Sequence, residues 1–241
     1  MLISVAIPAF NEEKLLPQTL AAVEKAQTAF TERGWETEVV ICDNNSTDAT
    51  AKLAEAAGAR VVFEPVNQIS RARNAAGNAA QGDWIVFLDA DSTPCPALMG
   101  KMATLMEDQA VIGAGVQIKM EGITLSGRAG ILLWNTVSRL FRWPAGSFIL
   151  CRAEAFRQLD GFSENLYAAE ELEFDHRLKQ LGRLRGQRVE ILRQPRLLTS
   201  NRRMVMYSPV RIFGFIAITC LTLGFSLKRK SMCNWWYDGR R

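Results

Sequence analysis

The sequence is poor in the side chains that most often do chemistry at neutral pH. It holds a single histidine, His176, in 241 residues. A His-centred triad or an imidazole-rich metal site therefore has little to be built from. We read His176, alone in a charged stretch, as a surface residue. Cysteine is sparse as well: Cys42, Cys95, Cys151, Cys220 and Cys233 are an odd number without paired spacing. That argues against a disulfide frame or a zinc site and implies a reducing compartment. Charge is not lopsided either. The net value is +4, and the excess sits late, in 183–211 and 228–241. This speaks against a nucleic-acid-binding protein and for an anionic partner or membrane surface near the C-terminal end. The uncharged stretch Ile212 to Leu227 falls short of the roughly 20 residues needed to span a bilayer. Met1-Leu2-Ile3-Ser4-Val5 lacks a basic region and cleavage site and reads as a first strand.

What is present describes a folded α/β chain. Hydrophobic residues make up 48% and charged residues 22%, an ordinary globular balance. The most informative stretch is Asp83-Trp84-Ile85-Val86-Phe87-Leu88-Asp89-Ala90-Asp91. Its apolar run reads as a buried strand, entered from Gly82 and stopped by Ser92, Thr93 and Pro94. Two acids at i, i+2 close it, where an open α/β sheet binds its ligands. A cap for a following helix would explain one Asp but not both. Two carboxylates so close suit a hard divalent cation and the phosphates it carries.

Other strands lead up to this one. Leu2 to Ile7 is a strand closed by Pro8-Ala9-Phe10-Asn11-Glu12-Glu13, and Leu15, Leu16, Leu20 and Val23 follow at helical spacing. Glu38 to Cys42 is a second strand, with Ser46 or Thr47 placed to cap a helix over Ala49 to Ala57. Ala59 to Phe63 is a third, and Ser70 to Ala80 is an Ala-rich helix carrying Arg71, Arg73 and Asn74. Alternation of this kind predicts a parallel sheet. Right-handed crossovers would then bring Asn11-Glu12, Asp43-Asn44, Asp89 and Asp91 to one edge. Turn and cap chemistry accounts equally for Asp43 to Ser46 taken alone.

Pro8-Ala9-Phe10-Asn11-Glu12, Val40-Ile41-Cys42-Asp43-Asn44-Asn45-Ser46-Thr47-Asp48, Ala72-Arg73-Asn74 and Gly82 to Asp91 together resemble family 2 glycosyltransferases. The motifs come in that family's order and cover about the first 95 residues. The resemblance implies a GT-A fold, a mostly parallel central sheet flanked by helices. It also implies transfer of a sugar from a nucleotide-diphosphate sugar to an acceptor, with inversion at the anomeric centre. Asp43 and Arg73 would hold base and ribose. Pro8, Phe10, Glu12, Asn45 and Ala90 belong to the same donor-binding motifs. Asp89 would reach ribose or metal, and Asp91 would ligate Mn²⁺ or Mg²⁺ on the diphosphate. That fits a cation's tendency to use one or two carboxylates plus phosphates and water.

In the second half, Val111 to Lys119 and Gly146 to Arg152 read as strands, and Ala153 to Leu159 as a helix. Ile123 to Trp143 is less regular, with Ile131, Leu132, Leu133, Leu140 and Phe141 among Arg128, Arg139 and Arg142. It reads as core packing or as an amphipathic helix over the crevice, an acceptor or lipid. Gly161-Phe162 precedes Glu170-Glu171, adjacent acids that open a helix. The macrodipole alone favours acids there. The family resemblance places Glu171 at its catalytic base, with Glu for the usual Asp and Glu170 as competitor. Arg202 and Arg203 would clamp a diphosphate or sit on a solvated face.

Three segments follow from this reading. Residues 1–95 form the nucleotide-binding half and 96–203 the acceptor and catalytic half of one GT-A domain. Residues 204–241 form an apolar C-terminal helix and a basic, aromatic tail with Trp235, Trp236 and Tyr237, suited to a membrane interface. The expected location is cytoplasmic, peripheral on the inner membrane face, with a glycan, a lipid-linked molecule or a small molecule as acceptor. Two rivals remain. Ile85 to Thr93 also resembles the haloacid-dehalogenase nucleophile motif, with Asp89 attacking phosphorus. That motif usually opens its domain and needs a later acidic metal pair that this sequence lacks. The other rival is a non-catalytic nucleotide-sugar-binding scaffold.

Overall fold

The computed structural model describes residues 1–202, 222 and 225–233. The first half alternates as its sequence implies: β1 (Leu2–Ala9), α1 (Leu16–Thr31), β2 (Glu36–Asp43), α2 (Thr50–Ala56), β3 (Arg60–Phe63), α3 (Ile69–Ala79) and β4 (Trp84–Leu88). These four strands are all parallel. The second half contributes β5 (Ser92–Thr93), α4 (Pro96–Glu107), β6 (Val111–Lys119), α5 (Leu125–Phe141), β7 (Phe148–Arg152), α6 (Ala153–Gln158), α7 (Glu170–Leu184) and β8 (Arg188–Thr199). β7 runs antiparallel between β4 and β6, and β8 is parallel to β6. The sheet is therefore mixed and mostly parallel, with eight strands in the order β3-β2-β1-β4-β7-β6-β8-β5.

That order forces curvature. β5 begins just four residues after β4 ends, so its first Cα lies within about 14 Å of Leu88. In a flat sheet the four intervening strand spacings would separate the two by about 19 Å. The far edge must curl back, and the Asp89–Asp91 segment spans the gap. Ser92 pairs with Thr199 and Thr93 with Leu198, which fastens this segment to the end of β8.

Helices cover both faces. α1 and α4 bury Val23, Phe30, Met99 and Met102 against Ile3, Val5 and Val86. On the other face α3, α6 and α7 bury Ala72, Phe156 and Phe174 against Ala6, Val40 and Phe87. The small residues of α3 have a reason: a Cβ on Gly77 would lie 2.6 Å from the Phe156 ring and 2.9 Å from Phe87. Close approach of α3 to the sheet is what carries Arg73 to the strand ends.

Some local expectations need correction. Neither Ser46 nor Thr47 caps α2; Ala49 is the cap residue, and the Asp48 carboxylate accepts from Thr50 N–H at 3.0 Å instead. The stretch read as irregular is the regular helix α5, with Thr124 Oγ1 accepting from Gly127 N–H at 3.2 Å. α4 and β8 were not anticipated. The apolar run Ile212 to Leu227 lies largely outside the described residues, as do Trp235, Trp236 and Tyr237. At its end, Phe225–Lys228 forms a short 3-10 turn. Among the described residues no helix is long and apolar enough to cross a membrane.

Candidate active site

The ends of β1 and β4, the start of α7 and the segment after β8 meet around one pocket of about 280 Å³. Pro8, Phe10 and Glu12 line it from the β1 end, and Arg73 from α3. Asp89, Ala90 and Asp91 come from the β4–β5 gap, and Glu170 and Glu171 from α7. Asp43 and Asn45 do not line it. Asp43 is buried, and its Oδ1 accepts from Ser46 N–H at 3.1 Å. Asn45 adopts a left-handed backbone, φ 63°, and its side chain donates to Asn67 at 3.2 Å.

Loop-to-loop hydrogen bonds set the pocket's walls. Thr50 Oγ1 accepts from Glu12 N–H at 2.8 Å, and Ser46 Oγ accepts from Asn11 N–H at 3.0 Å. These join the β1 and β2 exits. Thr19 Oγ1 donates to Ala90 O at 2.8 Å, which ties the two-acid segment to α1. On its other side Ser200 donates through N–H to Asp91 O at 3.1 Å and through Oγ to Asp91 Oδ2 at 2.5 Å.

Arg73 is the electrostatic hub. Its guanidinium is buried and donates to Glu170 at 2.7 Å, to Asp89 at 3.1 Å and to the Gly146 carbonyl at 2.8 Å. It also lies 5.5 Å from the centroid of the Phe162 ring. Burial opposes the charge, but Asp89, Glu170 and Glu171 outweigh it and hold the pKa above its ordinary value. Arg73 thus bridges the donor-side motifs and α7. Arg73→Ala leaves the buried Glu170 carboxylate unpaired, and we expect a loss of about 3–5 kcal/mol of stability. Urea unfolding measures it as a lower midpoint at unchanged slope.

Glu170 and Glu171 differ in environment although adjacent. Glu170 is buried in the ion pair with Arg73. Glu171 is driven up to about 7 by burial and then by the Glu170 charge, with Arg73 opposing. Ala169, which precedes both, sits in the left-handed region at φ 60° and sets how α7 begins. A Cβ at Gly146 would lie 3.2 Å from the Glu171 carboxyl carbon, so glycine there leaves the carboxyl its room.

Arg202 closes the opposite wall. It binds both Glu12 oxygens at 2.9 Å and approaches Asp91 at 3.5 Å. Burial works against its charge, but Glu12, Asp91 and Asp89 outweigh it and raise its pKa. The reading of this arginine as a solvated surface group is thereby corrected. Asn44, expected at this edge, lines the pocket, whereas sequence reasoning missed Trp134, Gly146 and Ser200. Asn44 donates to Glu64 O at 3.0 Å and Val66 O at 2.6 Å, and so anchors the loop entering α3. Its place at a strand end was the signal that marked it; Gly146 and Ser200 gave none without the topology.

The donor set is wholly oxygen at Asp89 and Asp91. Among the described residues no three His, Cys, Asp or Glu side chains cluster closely enough to hold a metal by themselves. Such a site fits a hard cation that takes its remaining ligands from phosphate and water.

The model of the family described as "Glycosyl transferase family 2" matches residues 4–160. An uncharacterized glycosyltransferase of Mycobacterium tuberculosis is 31% identical over 121 residues, covering 50% of this chain and 51% of that one. The undecaprenyl-phosphate 4-deoxy-4-formamido-L-arabinose transferase of Proteus mirabilis is 34% identical over 120 residues, 46% of this chain and 36% of that one. The chain thus spans about half the length, or less, of these curated relatives. Among solved structures, the glucosyl-3-phosphoglycerate synthase of Mycobacterium tuberculosis, in complex with Mn²⁺, UDP and phosphoglyceric acid, superposes with a TM-score of 0.61 at 20% identity. That match covers 96% of this chain and 78% of the other, a likeness of fold.

Proposed function

The chain belongs to glycosyl transferase family 2 and has the GT-A fold, and from that premise we propose an inverting, divalent-metal-dependent transfer of a sugar from a nucleotide diphosphate to an acceptor hydroxyl. Family membership leaves no place for the phosphatase reading of Asp89. The observation that carries the proposal is the convergence of Asp89, Asp91, Arg73 and Glu171 on one pocket, with Glu171 pushed up to about 7.

Residues 1–95 hold the donor in this reading, and 96–203 supply the acceptor side and the base. The pocket, about 280 Å³, is at the small end of ligand sites and takes the diphosphate and sugar. The nucleoside then extends along the strand ends toward Asp43 and Asn45. Asp91, with Asp89, would hold Mn²⁺ or Mg²⁺, which neutralises charge on the departing diphosphate. Arg73 keeps Asp89 oriented. Glu171 takes the acceptor proton; Glu170, committed to Arg73, is the lesser candidate. The acceptor oxygen bonds to the anomeric carbon as the carbon–oxygen bond to phosphate breaks, and that bonding pair leaves with the nucleoside diphosphate. The similarity to an undecaprenyl-phosphate transferase supports a lipid-linked acceptor used at a membrane surface.

Incubation with UDP- and GDP-linked α-sugars and Mn²⁺, followed by NMR of the product, tests the stereochemistry. The expected product is β-linked. A retained α-linkage, or release of free sugar alone, overturns the single-displacement reading.

A further inference from the structure

We propose that the outer face of α5, together with the arginines beside its C-terminal end, is a docking surface for an anionic lipid bilayer. The helix carries apolar residues on two faces: Ile131 and Trp134 pack against the core, and a second set faces water. Leu125, Leu132, Leu133 and Leu140 are 83%, 67%, 60% and 68% exposed. At 3.6 residues per turn they fall within an arc of roughly 100°. The face turned inward holds polar Asn135 and Ser138, both buried. Asn135 donates to Ile118 O at 3.0 Å and accepts from Ile118 N–H at 3.3 Å. Ser138 Oγ donates to Trp143 O at 2.6 Å. An ordinary surface helix points its apolar stripe at the core and its polar residues at water. Here folding inside one chain leaves the leucine face in water, and such faces mark protein or membrane contacts.

Charge selects between those occupants. α5 carries no acidic residue. At its C-terminal end Arg139, Arg142 and Arg193 surround one shallow hollow, and Arg142, Lys179 and Arg183 another. The acids facing them are already engaged: Glu190 and Asp108 with Arg188 at 2.7 and 2.8 Å, and Asp175 with Lys179 at 2.5 Å. Arg139, Arg142, Arg183 and Arg193 are left without an acidic partner among the described residues. A second copy docked about a two-fold axis would set this arginine patch close to itself. A leucine face beside basic residues matches the acyl boundary and phosphate layer of an anionic membrane. Trp134, on another side of the same helix, lines the pocket. The docked helix would therefore hold the pocket next to the bilayer, within reach of a lipid-borne acceptor. That last consequence rests on the proposed transfer reaction; the docking does not.

Co-sedimentation of the full chain with vesicles tests the docking. We compare phosphatidylcholine alone with a mixture containing about 30% phosphatidylglycerol. The chain should bind the anionic vesicles, and several-fold less well at about 0.5 M salt. The double variant Leu132→Ser/Leu140→Ser should bind at least about tenfold more weakly. Arg139→Gln/Arg142→Gln should lose about tenfold on anionic vesicles and keep whatever binding neutral ones show. Neither pair lines the pocket, so nucleotide titration of the same samples reads donor binding separately. Should the leucine variant not fold, the arginine variant decides alone. Absence of vesicle binding by the unaltered chain overturns the proposal. Undiminished binding by both variants does too, because the attachment then lies elsewhere in the chain. A dimer split by the leucine changes, without vesicle binding, assigns the face to a second copy and equally overturns it.

Discussion

Glu171→Gln should cut turnover by about 10²–10⁴-fold, the usual worth of a general base, and leave donor affinity nearly unchanged. Glutamine keeps the volume and one acceptor oxygen beside Gly146 but cannot take a proton. Glu170 does not replace it, because its carboxylate is held by Arg73 at 2.7 Å. The pH profile carries the same assignment. Glu171 is pushed up to about 7 by burial and the Glu170 charge, so the fraction competent as a base grows as pH rises through that value. Turnover should climb to a plateau above it, and the residual activity of the glutamine variant should lack the step. Stability runs the other way. A carboxyl whose folded pKa is raised stabilises the fold fully below its unfolded value, and that contribution is lost as pH rises through about 7. Glu171→Gln should therefore resist urea better than the parent at pH 8 and no better at pH 5. Undiminished turnover in this variant moves the base to another residue.

Asp91→Asn should abolish the part of nucleotide affinity that depends on metal. Loss of a group that merely orients a ligand costs 10–100-fold in metal affinity, so loss of a direct ligand costs at least about 100-fold. The fold should survive. Asparagine retains an oxygen for Ser200 Oγ, which donates to Asp91 Oδ2 at 2.5 Å, and the Ser200 N–H bond to the Asp91 carbonyl is untouched. Arg202 keeps both Glu12 oxygens at 2.9 Å. Loss of binding with an unchanged unfolding midpoint separates this effect from that of Arg73→Ala, which lowers both.

The half of the site made by consecutive strand ends was legible because each piece is local. The apolar run into Asp89-Ala90-Asp91 announces its strand and its end, and parallel alternation puts that end beside Pro8 to Glu12. Glu170 and Glu171 were legible as acids opening a helix. The other wall depends on pairing across the chain. Ser200 and Arg202 reach Asp91 and Glu12 only because β5 pairs with β8, residues more than a hundred positions apart. β8 itself, Arg188–Thr199, carries three arginines and a proline and does not read as a strand. α4 was readable: Pro96 at its first turn and Leu98, Met99, Met102 and Met106 on one buried face form an ordinary helical pattern. α5 was hard for the opposite reason, since its apolar residues point both ways and blur the period.

The central claim is that Asp91 and its neighbours form a metal-assisted nucleoside-diphosphate site. Calorimetric titration of the parent chain and Asp91→Asn with UDP, GDP, CDP and dTDP, each with and without Mn²⁺, tests it most directly. The account predicts that one diphosphate binds the parent only when Mn²⁺ is present and that Asp91→Asn loses this binding. Binding of none of the four with metal, or equal binding by the two proteins, would contradict it.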